Sequence, residues 1–145
     1  MAVTPIPEGY HTVTPYLTVQ GTAKLIDFLK QAFEAVETER LPRPDGAIGH
    51  AEVRIGDSVV MMADSGGERK PMSSAIYLYV GDVDSVYQRA LQAGATSMME
   101  PANQFYGDRS AGVQDPCGNQ WWIATHIEDV SPEELAKRAA AFMKQ

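Results

Sequence analysis

The sequence predicts an α+β fold: two tandem βαβββ modules forming cupped half-barrel sheets, plus a C-terminal helix. Three observations predict it. Residues 115–126, DPCGNQWWIATH, join a tight turn to an apolar run. Asp115 is able to bond the backbone two residues on, Pro116 presets φ and Gly118 supplies positive φ. Trp121-Trp122-Ile123-Ala124 then leave the turn as a buried strand. Second, an earlier stretch echoes this one: Ile55-Gly56-Asp57-Ser58 followed by Val59-Val60-Met61-Met62. Third, Thr14-Pro15-Tyr16-Leu17-Thr18-Val19 lies on Ala75-Ile76-Tyr77-Leu78-Tyr79-Val80 at an offset of 61, and Gln31-Ala32 lies on Gln92-Ala93 at the same offset. A period near sixty that occurs twice is too long for a solenoid and marks a duplicated supersecondary module.

Each element has its own signal. Residues 1–10 carry prolines and a glycine and read as an extended lead-in, and 14–19 alternate as a strand. Gly21-Thr22 open a helix whose Leu25, Phe28, Leu29, Ala32 and Phe33 recur at spacings of three and four, a core-facing stripe. Residues 36–41 read as a strand and 42–46 as a turn cluster. A hairpin runs from 48 to 64 with Gly56-Asp57 at its tip. Residues 65–71, SGGERKP, form the linker between modules of about 12–64 and 74–126. In the second module a strand over 74–80 precedes a helix capped by Asp82, with Val83, Val86, Tyr87, Ala90 and Leu91 on one face and an end near Gly94. Strands over 96–100, 110–115 and 119–125 follow, with a loop over 103–109. Ser131-Pro132-Glu133-Glu134 makes a capping box with proline at the first helical position. It opens a helix over 131–145 with an apolar stripe of Leu135, Ala139 and Phe142. Residues 1–130 are thus expected to form one domain.

Composition narrows the function. The 145 residues carry a net charge of −7, which disfavours nucleic acid and anionic membrane as partners. The single cysteine, Cys117, leaves no intrachain disulfide, in keeping with a reducing cytosol. MAVTPIPEGY has neither a basic start nor an apolar core, so no secretory leader is expected, and no apolar run approaches spanning length.

Taken together, Thr14-Pro15-Tyr16-Leu17, Gly49-His50-Ala51-Glu52, Gly56-Asp57-Ser58, Gly107-Asp108-Arg109 and DPCGNQWWIATHIED resemble the vicinal oxygen chelate superfamily. That group contains glyoxalase I, extradiol dioxygenases and the bleomycin- and fosfomycin-resistance proteins; the likeness is to its PhnB-like branch. The resemblance implies the glyoxalase/bleomycin-resistance fold and a homodimer. It also implies a site where each module's first and last strands supply one metal ligand apiece. Carried over position by position, those ligands fall at Thr14, Val60, Ala75 and Trp122. Such a site wants imidazole nitrogen and carboxylate oxygen. Alanine and valine have no donor, tryptophan offers only N–H and a lone threonine hydroxyl is a poor anchor. Shifting by one residue to Val13, Pro15, Met61, Ile76 or Ile123 is no better. The expectation is a protein without metal or other cofactor.

The remaining polar candidates divide. His50 and Glu52 are two apart on one strand and share a face. They read as a polar face in the open cavity, or alternatively as a general-base pair or two ligands of a relocated metal. A three-residue hairpin loop, the reading adopted, sets them on the face of Val60 and Met62; a two-residue loop sets them opposite. His126 reads as fastening its strand to the C-terminal helix, and His11 as surface. Cys117 has no basic neighbour in sequence to lower its pKa. Tyr106 beside Arg109 in a loop suits an anionic or aromatic ligand. The expected ligand-binding set is Tyr16, His50, Glu52, Met62, Tyr77, Tyr106, Arg109 and Trp122, with no residue given a catalytic role. Trp122 is expected in the cavity, filling the ion's place, and Trp121 in the core. The function expected is cytoplasmic binding of an apolar or aromatic small molecule. The alternative is a metal-dependent lyase, isomerase or dioxygenase rebuilt around His50 and Glu52.

Overall fold

The computed structural model describes residues 3–144. Strand β1 (Tyr16–Val19), helix α1 (Thr22–Phe33) and strands β2 (Val36–Pro42), β3 (Ile48–Ile55) and β4 (Ser58–Asp64) form the first module. The second repeats it as β5 (Ala75–Tyr79), α2 (Val83–Gln92), β6 (Thr96–Asn103), β7 (Asp108–Gln114) and β8 (Gln120–His126), and α3 (Pro132–Met143) closes the chain. The sheet orders are β1-β4-β3-β2 and β5-β8-β7-β6, with the module's first and last strands parallel and the rest antiparallel. This is the duplicated βαβββ plan expected from the sequence. The register repeats too: Tyr16 lies opposite Met61, and Tyr77 opposite Trp122.

Local chemistry explains the elements. Helix α1 begins at Gly21, which has φ 96° and offers no capping side chain. Asp64 substitutes from the end of β4. Its Oδ1 accepts from the N–H groups of Gly21 and Thr22 at 3.2 and 2.8 Å, and its Oδ2 from Ile48 N–H at 2.7 Å. A carboxylate at a helix N-terminus satisfies donors that the helix cannot. Burial pushes the Asp64 carboxyl up, but these backbone donors outweigh it and hold it below the ordinary value. Asp82 caps α2 through Ser85 N–H, and Ser131 caps α3 through Glu134 N–H, as expected.

The turn at 115–119 is built by one carboxylate. Asp115 Oδ1 accepts from the N–H groups of Cys117 and Asn119 at 2.8 and 3.0 Å. Its Oδ2 accepts from the Trp121 indole at 2.8 Å and the Asn119 amide at 3.1 Å. Asn119 Oδ1 in turn takes Ser74 N–H at 3.0 Å, which sets the start of β5. The turn therefore fixes Trp121 inward.

Helices α1 and α2 pack on each other and on the inner faces of their sheets. Leu17, Leu25, Ile26, Phe28, Leu29, Met62, Trp121 and Ile123 are the largest members of one core shared by both modules. Phe33 of α1 reaches across to Trp121, ring centroids 5.1 Å apart. Full burial of each such side chain contributes roughly 1.5–3 kcal/mol. The faces of the two sheets turned away from this core are left open.

Three expectations are corrected. Ile55 pairs with Ser58, so the first hairpin has a two-residue loop at Gly56-Asp57, with Gly56 at φ 59°. Alternation then turns Met62 and Val60 into the core, and Met62 is fully buried; Glu52 stands opposite Met61 on the open face. The counterpart of Trp122 is consequently Met61 rather than Val60. Finally, β7 starts at Asp108, because Gln104 N–H bonds Asp108 C=O at 2.7 Å and closes a tight hairpin. Arg109 is a strand residue, not a loop residue.

Candidate functional site

The open face of the first sheet presents Tyr16, Met61, His50 and Glu52. The segment 5–14 crosses this face and borders an open pocket of about 420 Å³ lined by Pro5, Ile6, Tyr10, Thr14, Glu52 and Met61 among others. Glu52 is 5% exposed. Its Oε1 accepts the Tyr10 hydroxyl, and its Oε2 lies 2.7 Å from His50 Nε2. His50 Nδ1 is 3.4 Å from the Tyr16 hydroxyl, which also takes Arg69 Nη1 at 3.4 Å. Burial pushes the Glu52 carboxyl up; the Tyr10 and His50 hydrogen bonds overcome it and hold Glu52 below the ordinary carboxylate value. The same bond to Glu52 raises the Tyr10 phenol. Glu52 is thus an ionised acceptor on a floor shared with Tyr16, His50 and Met61.

The open face of the second sheet is aromatic. Trp122 lies flat on β7: a Cβ added at Gly112, directly opposite, would sit 2.4 Å from the indole ring. Glycine is what lets the indole lie down there. Tyr77 and Tyr79 stand beside it, ring centroids 5.3 Å apart and each partly exposed. Their hydroxyls donate to Asp108 Oδ2 at 2.8 and 2.9 Å, and His126 Nδ1 lies 2.9 Å from Asp108 Oδ1. His126 Nε2 lies 2.7 Å from Asp129, in the segment leading to α3.

The charges in this cluster are linked. Burial raises the Asp108 carboxyl, but the bonds from His126, Tyr77 and Tyr79 outweigh it and lower it below the ordinary value. Asp108 and Asp129 raise the His126 imidazole. Burial, then the neighbouring Tyr106 and Asp108, push the Tyr77 phenol far up, so it remains a donor at any physiological pH.

The sequence-derived candidates therefore fall in three places. Tyr16, His50 and Glu52 share the first floor; Tyr77 and Trp122 share the second, with Tyr106 at its rim. Met62 is inside the core. Arg109 points to the helix side, where it grips Asp84 through two bonds of 2.9 Å and Asn103 through one of 3.1 Å, and the two open floors do not include it. Sequence reasoning missed Asp108 and Tyr10. Asp108 had a signal in Gly107-Asp108-Arg109, but its partners come from β5 and β8 and meet only on folding. Tyr10 had none, since its partner lies 42 residues away.

The superfamily's four metal positions hold Thr14, Met61, Ala75 and Trp122 in this register. Only Thr14 has an oxygen, and that hydroxyl donates to His11 C=O at 3.2 Å. This donor set does not fit a divalent cation. His50 and Glu52 contribute two donors that face each other, and among the described residues no His, Cys, Asp or Glu group of three or more gathers around a common point.

Residues 10–123 match the Glyoxalase/Bleomycin resistance protein/Dioxygenase superfamily, and the chain belongs to it. The uncharacterized protein Mb0911c of Mycobacterium bovis is 39% identical over 134 residues, covering 85% of this chain and 88% of that one. TioX from Micromonospora sp. ML1 shares the fold at TM-score 0.70 and 24% identity, over 81% of this chain and 99% of its own. A protein from Bacillus cereus described as a putative 3-demethylubiquinone-9 3-methyltransferase, PhnB protein, shares it at TM-score 0.64 and 16% identity, over 79% and 99%. Among the described residues no helix is long and apolar enough to cross a membrane.

Proposed function

We propose that this chain is a metal-free small-molecule-binding protein that holds an apolar or aromatic ligand against its open sheet faces. The observation carrying this reading is Trp122 laid flat on Gly112, at a position where metal-dependent members of the superfamily carry a ligand carboxylate. An indole face there offers a stacking wall and no lone pair for a cation. Tyr77 and Tyr79, held by Asp108, extend that wall. Binding and sequestration need no catalytic group.

The open faces also expose Tyr16, Leu41, Tyr77, Tyr79 and Met98. We assign their cover to a second copy of the chain related by a two-fold, which turns two shallow floors into a closed cleft. The cytosol is the compartment that a lone thiol suits, and the acidic charge leaves nucleic acid and membrane out of the partner list.

Titration with a panel of aromatic metabolites and antibiotics, read by tryptophan emission in wild type and Trp122→Phe, tests the reading alongside elemental analysis. Saturable quenching that disappears in Trp122→Phe, with substoichiometric metal, is expected. Stoichiometric zinc, nickel or iron bound through this cleft would overturn it. Light scattering should give about twice the 15.8 kDa chain mass at micromolar protein; the monomer mass would remove the dimer.

A further inference from the structure

We propose that the cavity beneath residues 5–14 is a binding site for a phenol, whose hydroxyl takes the place on Glu52 that the Tyr10 hydroxyl holds. This rests on reading the open faces as a ligand cleft and names the chemistry of one of its two floors.

The floor of the cavity is selective in a specific way. Glu52 is the buried acceptor, its second oxygen committed to His50 at 2.7 Å. The other oxygen carries the Tyr10 hydroxyl, the donor that a ligand must replace. Pro5, Ile6, Pro7 and Met61 supply the apolar part of the walls, beside Tyr10, His11, Thr12 and Thr14, and suit a ring. A volume of about 420 Å³ remains open beside the tyrosine already there. An aromatic ring ending in a hydroxyl satisfies the acceptor and fills the apolar walls at once. Where the Tyr10 hydroxyl is absent, an aromatic ring without one leaves a buried carboxylate oxygen unpaired, and that loss discriminates between the two.

The occupant is lightly held, which is what makes it displaceable. Residues 5–14 pair with no strand. Their side-chain polar contacts to the rest of the fold are Tyr10 on Glu52 and His11 Nε2 on Asp57, 2.8 Å from its C=O and 3.7 Å from its Oδ2. The remaining bonds are internal, Tyr10 N–H to Pro7 C=O at 3.0 Å and the Thr14 hydroxyl to His11 C=O at 3.2 Å. Swinging the Tyr10 side chain off Glu52, with Pro5, Ile6 and Pro7 kept as walls, thus breaks little besides the bond that the incoming phenol restores. Pro5 and Pro7 restrict the segment's conformations, so the walls keep their place while Tyr10 moves.

The test uses p-cresol as the phenol and toluene as its counterpart without a hydroxyl, in the full chain labelled with ¹³C at methionine methyls. Calorimetry gives affinity, and the Met61 resonance, assigned through Met61→Leu, gives location. In wild type p-cresol should shift the Met61 methyl. Tyr10→Phe, which keeps the ring and loses the competing hydroxyl, and Tyr10→Ala should each tighten p-cresol by about tenfold, and in Tyr10→Phe p-cresol should bind at least tenfold more tightly than toluene. Adding Glu52→Gln, an uncharged acceptor, to Tyr10→Phe should weaken that preference. Equal affinity for the two compounds in Tyr10→Phe, an unmoved Met61 methyl, or unchanged affinity in both Tyr10 variants overturns the proposal. Aromatic ligands that quench Trp122 yet leave Met61 unmoved and ignore Tyr10 would sink this inference while leaving the ligand-cleft reading intact.

Discussion

Gly112→Ala probes the aromatic wall with a single methyl group. At this glycine no left-handed backbone is required, so alanine brings no φ penalty. The cost comes from the indole: a Cβ would lie 2.4, 2.8 and 3.0 Å from three ring carbons of Trp122. Ordinary carbon contacts begin near 3.5 Å, so the ring must retreat by about 1 Å. Gly112 is on a strand, hydrogen-bonded between β6 and β8, and yields little. Trp122 is half-buried and has room on its open side, so the ring tilts off the sheet. Overpacking of this kind costs typically 1–3 kcal/mol, and an indole free to swing outward places this case at the low end, about 1 kcal/mol. That corresponds to roughly 3 °C in Tm for a chain of this size. Acrylamide quenching of wild type, Gly112→Ala and the matching Trp122→Phe variants isolates the Trp122 signal from that of buried Trp121. Quenching of Trp122 should rise with little change in far-UV circular dichroism, and affinity for any ligand stacked on it should fall. Unchanged quenching, or a loss of several kcal/mol in urea unfolding, would refute the geometry: the first means the indole does not lie on Gly112, the second that it cannot leave.

Three further outcomes follow from the buried carboxylates and their partners. Asp115→Ala strips partners from the Cys117 and Asn119 amides and from the Trp121 indole, so urea denaturation should show a loss of about 3 kcal/mol or more; a change below 1 kcal/mol would mean the turn is held otherwise. His126, raised by Asp108 and Asp129, contributes stability that is full below the ordinary histidine pKa and lost as pH rises through its elevated value. The stability advantage of wild type over His126→Gln should therefore shrink from pH 6 upward. Asp108 has the opposite sign: lowered in the fold, it stabilises above the ordinary carboxylate pKa and loses this as pH falls through its depressed value, so Asp108→Asn should flatten the acid limb. Stability against pH for the three proteins checks both.

How much of this was legible beforehand depended on whether the signal was local. The caps at Asp82 and Ser131 and the Asp115 turn each reside in a few consecutive residues whose side chains bond their own backbone, and the modules show in a repeat of period 61, so all of these are readable. The alternation Trp121-in, Trp122-out follows once Asp115 claims the Trp121 N–H six residues on. The first hairpin was misjudged because loop length is not written in composition: Gly56-Asp57 serves a two- or three-residue turn, and one residue of difference exchanges the faces of Val60, Met61 and Met62.

The sequence by itself determined what the chain repeats and what it lacks. The period of 61 specifies two copies of one sheet, and Thr14, Ala75 and Trp122 at three of the superfamily's metal positions are a poor donor set for a cation; the fourth, Met61, came only with the register. Only the tertiary structure decided which groups meet. Asp108, Tyr77, Tyr79 and His126 come from three strands, and Tyr10 and Glu52 from segments with no sequence relation. A buried carboxylate cannot remain unpaired, so whichever donors the register and the path of residues 5–14 deliver become its partners. That delivery is a property of the packed sheets and not of any local stretch of sequence.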